Sequence, residues 1–203
     1  MSKKKEMGTY GYGLGSPKNV VDAYRDKLVS EICSDLDARR SPCIIICMNV
    51  SGDFNKASII RASNAFLAQE VIIVGKRRID RRGAVGTHHY EHISHKEDTS
   101  FFADLINQGY TIFPIENVPE FNPQRIDTFE LPYKCAFVFG EELLGLSEDL
   151  VKQCNGATLY IPQYGSVRSI NVAQAAAIAL YEYTRQHPDA QSAAPSTLLS
   201  KES

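Results

Sequence analysis

Apolar residues in this chain fall into two patterns that alternate along it. Residues 43–48 (Cys-Ile-Ile-Ile-Cys-Met) form an uninterrupted apolar run, and shorter runs recur at 71–74, 110–115, 135–139 and 157–161. Runs of this length without polar alternation are the mark of strands covered on both faces. Between them, apolar residues return every three or four positions, which predicts helices over 55–67, 99–107, 147–153 and 169–185. Gly75 and Gly109 sit where a strand or helix must stop, and Pro119, Pro123 and Pro132 mark a stretch of loop. An earlier helix is predicted over 19–39, where Val20, Val21, Tyr24, Leu28, Ile32 and Leu36 share one face. Strands alternating with helices predict an α/β fold built on a parallel sheet. No internal repeat is present.

The chain has 203 residues, 43% hydrophobic and 23% charged, enough for one domain with a substantial core. The pattern divides it into a flexible polar arm (1–17), a helical extension (18–40), the α/β domain (41–186) and a Pro/Ser/Ala tail expected to be disordered (187–203). Gly11, Gly13 and Gly15 in the arm superficially suggest a nucleotide loop. No strand precedes them and the spacing is not GxGxxG, so the arm reading stands. No apolar run approaches the ~20 residues that span a bilayer, and the lysines of the first six residues are not followed by a signal-peptide core. A cytoplasmic protein is expected. Cys33, Cys43, Cys47, Cys135 and Cys154 are odd in number and mostly in apolar surroundings, and read as reduced, packed thiols.

The net charge of −2 does not advertise a nucleic-acid partner, but location matters more than the sum, and the basic charge is segregated. Residues 75–96 hold six basic side chains against Asp80 and Glu91, a local +4 that leaves −6 elsewhere. Lys76, Arg77, Arg78, Arg81 and Arg82 are therefore the candidate contact for a nucleic-acid partner, directed at phosphates, with a solvated charged loop as the plain alternative. Lys3, Lys4, Lys5, Tyr10 and Tyr12 of the arm could assist by stacking. His88, His89, His92 and His95 suggest a metal cluster at first sight, yet they lack a helical period and match no zinc spacing. No metal site is expected.

In open parallel sheets, ligands collect in the loops at the carboxyl ends of strands. Three such loops hold unusual residues. The first leads from the run at 43–48 to Asn55 and to Arg61, an arginine embedded in Ile59, Ile60 and Ala62. It must either pair with a carboxylate or face a ligand such as phosphate. The second, Gly140-Glu141-Glu142-Leu143-Leu144-Gly145-Leu146-Ser147, places two acids directly after a buried strand, with Ser147 as a helix cap. The third runs from Ile161 and Pro162 through Gly165 to Arg168, Ser169, Ile170 and Asn171, and opens an alanine-rich helix.

In this order the three loops resemble the three motifs of the SpoU (TrmH-like) family of RNA 2′-O-ribose methyltransferases, in the SPOUT superfamily. Asn55, Ala57 and Arg61 match the first motif, Gly140, Glu142, Gly145 and Ser147 the second, and Ile161, Pro162, Gly165, Ser169, Ile170 and Asn171 the third. Glu141 stands where the family usually has Asn, Ala57 where Gly is common, and Arg168 where many relatives carry an acid. The resemblance implies a deep C-terminal trefoil knot, a homodimer, S-adenosylmethionine as cofactor, and tRNA or rRNA as substrate. It further implies that Phe139, Gly140, Glu142, Gly145, Ile161, Pro162, Gly165, Ser169, Ile170 and Asn171 line the cofactor site. Arg61 and Asn55 would act at the ribose hydroxyl, Glu142 and Ser169 would orient Arg61, and Asn171 would brace the loops. A guanidinium is effectively always charged, so Arg61 would stabilise the oxyanion and leave the proton to a phosphate or water. An RNA-binding protein of the same fold with weak or no catalysis is the other reading.

Overall fold

The computed structural model describes residues 20–75 and 79–188. The arm over 1–17, Lys76, Arg77, Arg78 and all but the first two residues of the tail lie outside them. In chain order the elements are α1 (Val29–Asp37), β1 (Ser41–Met48), α2 (Asp53–Ala65), β2 (Ala68–Val74), α3 (Arg81–Ala84), β3 (Ile93–Lys96) and α4 (Phe102–Asn107). They continue with β4 (Thr111–Ile115), β5 (Gln124–Arg125), β6 (Cys135–Phe139), α5 (Glu148–Val151), β7 (Leu159–Tyr160) and α6 (Val172–Gln186).

The strands form one parallel seven-stranded sheet in the order β3-β2-β1-β6-β4-β7-β5. Its centre is the pair β1–β6, with Cys43 opposite Cys135 and Cys47 opposite Phe139. Successive side chains on a strand point to opposite faces, and the core divides accordingly. Cys43, Ile45 and Cys47 face one layer with Ile59 and Ile60 of α2 and Ala176, Leu180 and Tyr183 of α6. Ile44, Ile46 and Met48 face the other, with Phe102 and Leu105 of α4 and Leu150 of α5. The uniformly apolar runs in the sequence are thus explained by helices on both sides. A third cluster joins α1 to the main body through Tyr24, Ile32, Leu36, Leu67 and Tyr90. Cys43, Cys47 and Cys135 are buried, Cys33 and Cys154 are half-buried, and all five are free thiols. No helix among the described residues is long and apolar enough to cross a membrane.

Several elements differ from the sequence expectation. The single helix over 19–39 is instead a 3-10 turn at Asp22–Tyr24 followed by α1, with extended backbone at Leu28 between them. The Tyr24 hydroxyl bonds Asp35 and accepts from Arg39 Nη2 at 2.7 Å. Eleven helical residues would separate Tyr24 from Asp35 by about 16 Å along one axis, so this contact requires the chain to fold back. The strand β3 went unrecognised because Ile93, Ser94, His95 and Lys96 are largely polar. They form a sheet edge, where short polar strands are favoured. The last helix begins at Val172, three residues later than the pattern suggests, because the Asn171 side chain caps it by accepting from Ala173 N at 2.9 Å.

Candidate active site

Glu142 stands in the loop after β6, and its carboxylate collects donors from the loop after β1. Ser51 N and Oγ reach Oε2 at 3.0 and 2.8 Å, while Gly52 N and Asn55 Nδ2 reach Oε1 at 3.2 and 2.7 Å. Partial burial pushes the Glu142 pKa up, but the hydrogen bonds from Asn55, the backbone and Ser51 outweigh it and hold the group at about 2. Asn55 then turns its Oδ1 toward Asn171, whose Nδ2 donates at 3.0 Å. Asn171 uses its own Oδ1 to cap α6. Glu142, Asn55 and Asn171 therefore form one chain of hydrogen bonds joining residues 87 and 116 positions apart in sequence. All three loops singled out in the sequence meet here.

The loop that carries Glu142 is shaped by two glycines. A Cβ on Gly140 would lie 2.4 Å from the Gly145 carbonyl carbon, which is backbone and cannot step aside. Gly145 has φ +65°, and a Cβ there would sit 2.4 Å from Glu116 Oε2. Gly145 N closes the turn on Glu141 O at 2.8 Å. Glu116, just past β4, fastens this loop from the other side: its Oε2 accepts from Leu146 N at 3.1 Å and its Oε1 from Asn117 N at 2.9 Å. Asn117 Nδ2 donates to Arg168 O at 2.8 Å, tying in the third loop. Ser147 caps α5 by accepting from Leu150 N.

These loops enclose an open cleft of about 650 Å³, within the ~300–1,000 Å³ range of small-molecule sites. Phe139, Gly140, Glu142, Gly145, Ile161, Ser169, Ile170 and Asn171 line it. Glu141 and Arg168, the departures noted in the sequence, line it as well.

Two expected cofactor contacts, Pro162 and Gly165, are not among the residues that line the cleft, and nothing lies within 4 Å of a Cβ added at Gly165. Within one chain neither Glu142 nor Ser169 makes a hydrogen bond or ion pair to Arg61. Glu142 spends its carboxylate on the first loop, and Arg61 makes no hydrogen bond or ion pair among the described residues. It is exposed on α2, six residues beyond Asn55 and about 9 Å further along the axis. The structural carboxylate partner considered for it is therefore not found among the described residues.

Ser51, Glu116, Asn117 and Gln163 belong to the site but went unnoticed in the sequence. Glu116 carried a usable signal, since it follows a buried apolar run just as Glu141 and Glu142 do. Of the basic segment, Arg82 is exposed and forks onto Asp80 with Nη2 2.6 Å from Oδ2, and Arg81 opens α3. His88 and His89 sit in a 3-10 turn with rings 4.1 Å apart, while His92 Nε2 lies 2.8 Å from Asp37, so the i, i+4 helical geometry of a metal pair is not formed.

Comparison with known proteins accords with this convergence. The model of the SpoU rRNA Methylase family matches residues 42–181. The chain belongs to the SpoU family. A Mycoplasma genitalium protein provisionally described as a tRNA (cytidine(34)-2′-O)-methyltransferase is 30% identical over 140 residues, covering 66% of this chain and 84% of the relative. Among solved structures, the TrmH/SpoU tRNA modifying enzyme of A. aeolicus superposes with a TM-score of 0.70 at 23% identity, over 79% of this chain and 83% of that one. The SpoU methyltransferase AviRb from Streptomyces viridochromogenes, solved in complex with AdoMet, gives a TM-score of 0.63 at 22% identity, over 76% and 61%. The matched segment begins at β1 and ends within α6, so it contains the whole hydrogen-bonded chain from Ser51 to Asn171.

Proposed function

We propose that this protein transfers the methyl group of S-adenosylmethionine to a ribose 2′-hydroxyl of tRNA. The observation that carries the reading is the hydrogen-bonded chain Glu142–Asn55–Asn171, which ties the first SpoU motif to residues of the second and third that line one cleft. The residues present fit the cofactor. The cleft has the volume, and Phe139, Ile161 and Ile170 offer apolar contact. When bound, the cofactor supplies an electrophilic methyl group on a sulfonium. The protein's part is to fix the geometry of an in-line transfer: Asn55 and Asn171 are held rigid by Glu142 and by the α6 cap.

Arg61 is the residue proposed to hold the ribose oxygen and its neighbouring phosphate. Its position away from its own cleft supports a homodimer in which it serves the partner's site. Gln174, Ile178, Tyr181 and Arg185 form an exposed stripe on α6. Tyr181, 60% exposed, meets Phe66 edge-on just after α2, the helix that carries Arg61. Ile178 and Tyr181, exposed on this α2/α6 face, support the second copy as its occupant. Residues 76–78, Arg81 and Arg82 are proposed to reach tRNA phosphates. The trefoil knot is proposed for the segment 161–171, in keeping with its tether at Arg168 to Asn117 of the β4 loop. Five unpaired thiols support a cytoplasmic setting.

Glu141 at the cleft keeps the second reading, RNA binding with little catalysis, open to test. Titration of S-adenosylmethionine by calorimetry, followed by transfer of labelled methyl to tRNA, separates the two. Binding with transfer is expected; tRNA binding without either would favour the second reading.

A further inference from the structure

An α-amino acid carries an ammonium and a carboxylate on one carbon, so a site for it needs opposite charges close together that do not neutralise each other. Glu116 and Arg168 are such a pair. Both line the cleft, and their loops are tethered, because Asn117, next in the chain after Glu116, donates from Nδ2 to Arg168 O at 2.8 Å. The two side chains nevertheless do not bond each other. Glu116 accepts from Asn117 N and Leu146 N, both neutral donors, and the Arg168 guanidinium makes no hydrogen bond or ion pair among the described residues. Arg168 is exposed, and among the described residues that line the cleft it is the one cation, set against Glu116, Glu141 and Glu142. Those acids repel an entering anion, which leaves Arg168 as its place.

We infer that Arg168 is a specificity-determining residue that binds the carboxylate of the cofactor's methionine end, with Glu116 facing the ammonium on the same carbon. This rests on the reading of the cleft as the S-adenosylmethionine site. The cofactor carries one anionic group, that carboxylate, and leaving it unpaired beside Glu116 and Glu141 would weaken binding. A planar guanidinium offers it two parallel N–H donors, the geometry a carboxylate matches best. The ammonium finds acceptor capacity on Glu116. An ionised carboxylate has about four lone-pair sites, and the two backbone donors leave some of them open.

The test is calorimetric titration of the full chain with S-adenosylhomocysteine, which keeps both charged groups, and with its analogue bearing hydrogen in place of the carboxylate. One charge-assisted pair gives the parent compound an advantage of about tenfold in wild type, and that advantage narrows as salt is raised. Arg168→Met removes the charge at an exposed position and keeps a flexible, unbranched side chain. It is expected to weaken the parent compound by the same factor and leave the analogue unchanged, so that the preference disappears. Arg168→Lys keeps a cation and keeps part of the preference. A wild-type protein that binds the two compounds equally overturns the assignment while leaving the cofactor site in place. So does an Arg168→Met variant that still prefers the parent, and a loss of tRNA binding in that variant would assign the guanidinium to a substrate phosphate instead. Failure of wild type to bind either compound overturns both readings.

Discussion

Replacing Glu142 with Gln tests how far the site depends on one ionised carboxylate. Wild-type Glu142 is held at about 2 against an ordinary value of 4.5, which means that the fold prefers its charged form. A displacement of that size is worth roughly 3 kcal/mol in full. Glu142 is an exposed residue, and screening by water reduces this to about 1–2 kcal/mol. Because the folded value is depressed, the contribution is complete above the ordinary value and is lost as pH falls from about 4.5 toward about 2. Glutamine has no titration there, and its amide would face the donors of Ser51, Gly52 and Asn55 with an NH2 group. Urea unfolding at a series of pH values is the assay. Glu142→Gln is expected to be about 1–2 kcal/mol less stable than wild type at pH 7, with the gap shrinking by about half by pH 3. A gap that stays constant over that range would refute the assigned charge. Methyl transfer in the same variant should fall at least about tenfold at saturating cofactor, through loss of the Asn55 anchor.

Asn171→Ala removes both the α6 cap and the hydrogen bond to Asn55. Thermal unfolding should register a loss of about 1–2 kcal/mol, and transfer activity should fall more than cofactor affinity. Gly145→Ala forces a side chain into the left-handed region and onto Glu116. Calorimetry should show cofactor affinity lowered by about tenfold or more, whereas Gly165→Ala, in open space, should leave it unchanged. Arg40 lies outside the cleft, with its side chain 2% exposed and paired to a fully buried Glu91 at 2.8 Å, so Arg40→Ala should cost about 3–5 kcal/mol in urea unfolding. Arg61→Ala and Glu142→Ala should each be inactive alone, but mixing them after joint unfolding and refolding should restore about a quarter of wild-type activity if Arg61 acts across the dimer. No recovery on mixing would place Arg61 at its own cleft.

The central strands were legible in the sequence because helices cover both faces of the sheet, which makes their apolar runs continuous. The edges were not. β3 is half polar and β5 has only two residues, so both owe their extended form to pairing with a neighbour. The break before α1 was hidden because Val20, Val21 and Tyr24 are apolar at helical spacing whether or not the helix continues. What breaks it is the contact of Tyr24 with Asp35 and Arg39. At the site, the structure brings the motif residues Asn55, Glu142 and Asn171 into one hydrogen-bonded chain, but their other partners were not legible. The family resemblance implied that Glu142 orients Arg61, whereas the loop after β1 presents Ser51 and Gly52 backbone donors that no side-chain pattern advertises. Gly165 read as a site glycine by its motif position, and its surroundings show that the turn there is open.

The most direct test of the account is the position of the transferred methyl group. Purified protein is incubated with unmodified tRNA and methyl-labelled S-adenosylmethionine, and the tRNA is then hydrolysed with alkali. Methylation of a ribose 2′-hydroxyl blocks cleavage of the adjacent phosphodiester, so the account predicts label in alkali-resistant dinucleotides, and none there with the Glu142→Ala variant. Label recovered in mononucleotides, as base methylation would give, or tRNA that binds and remains unlabelled, would contradict it.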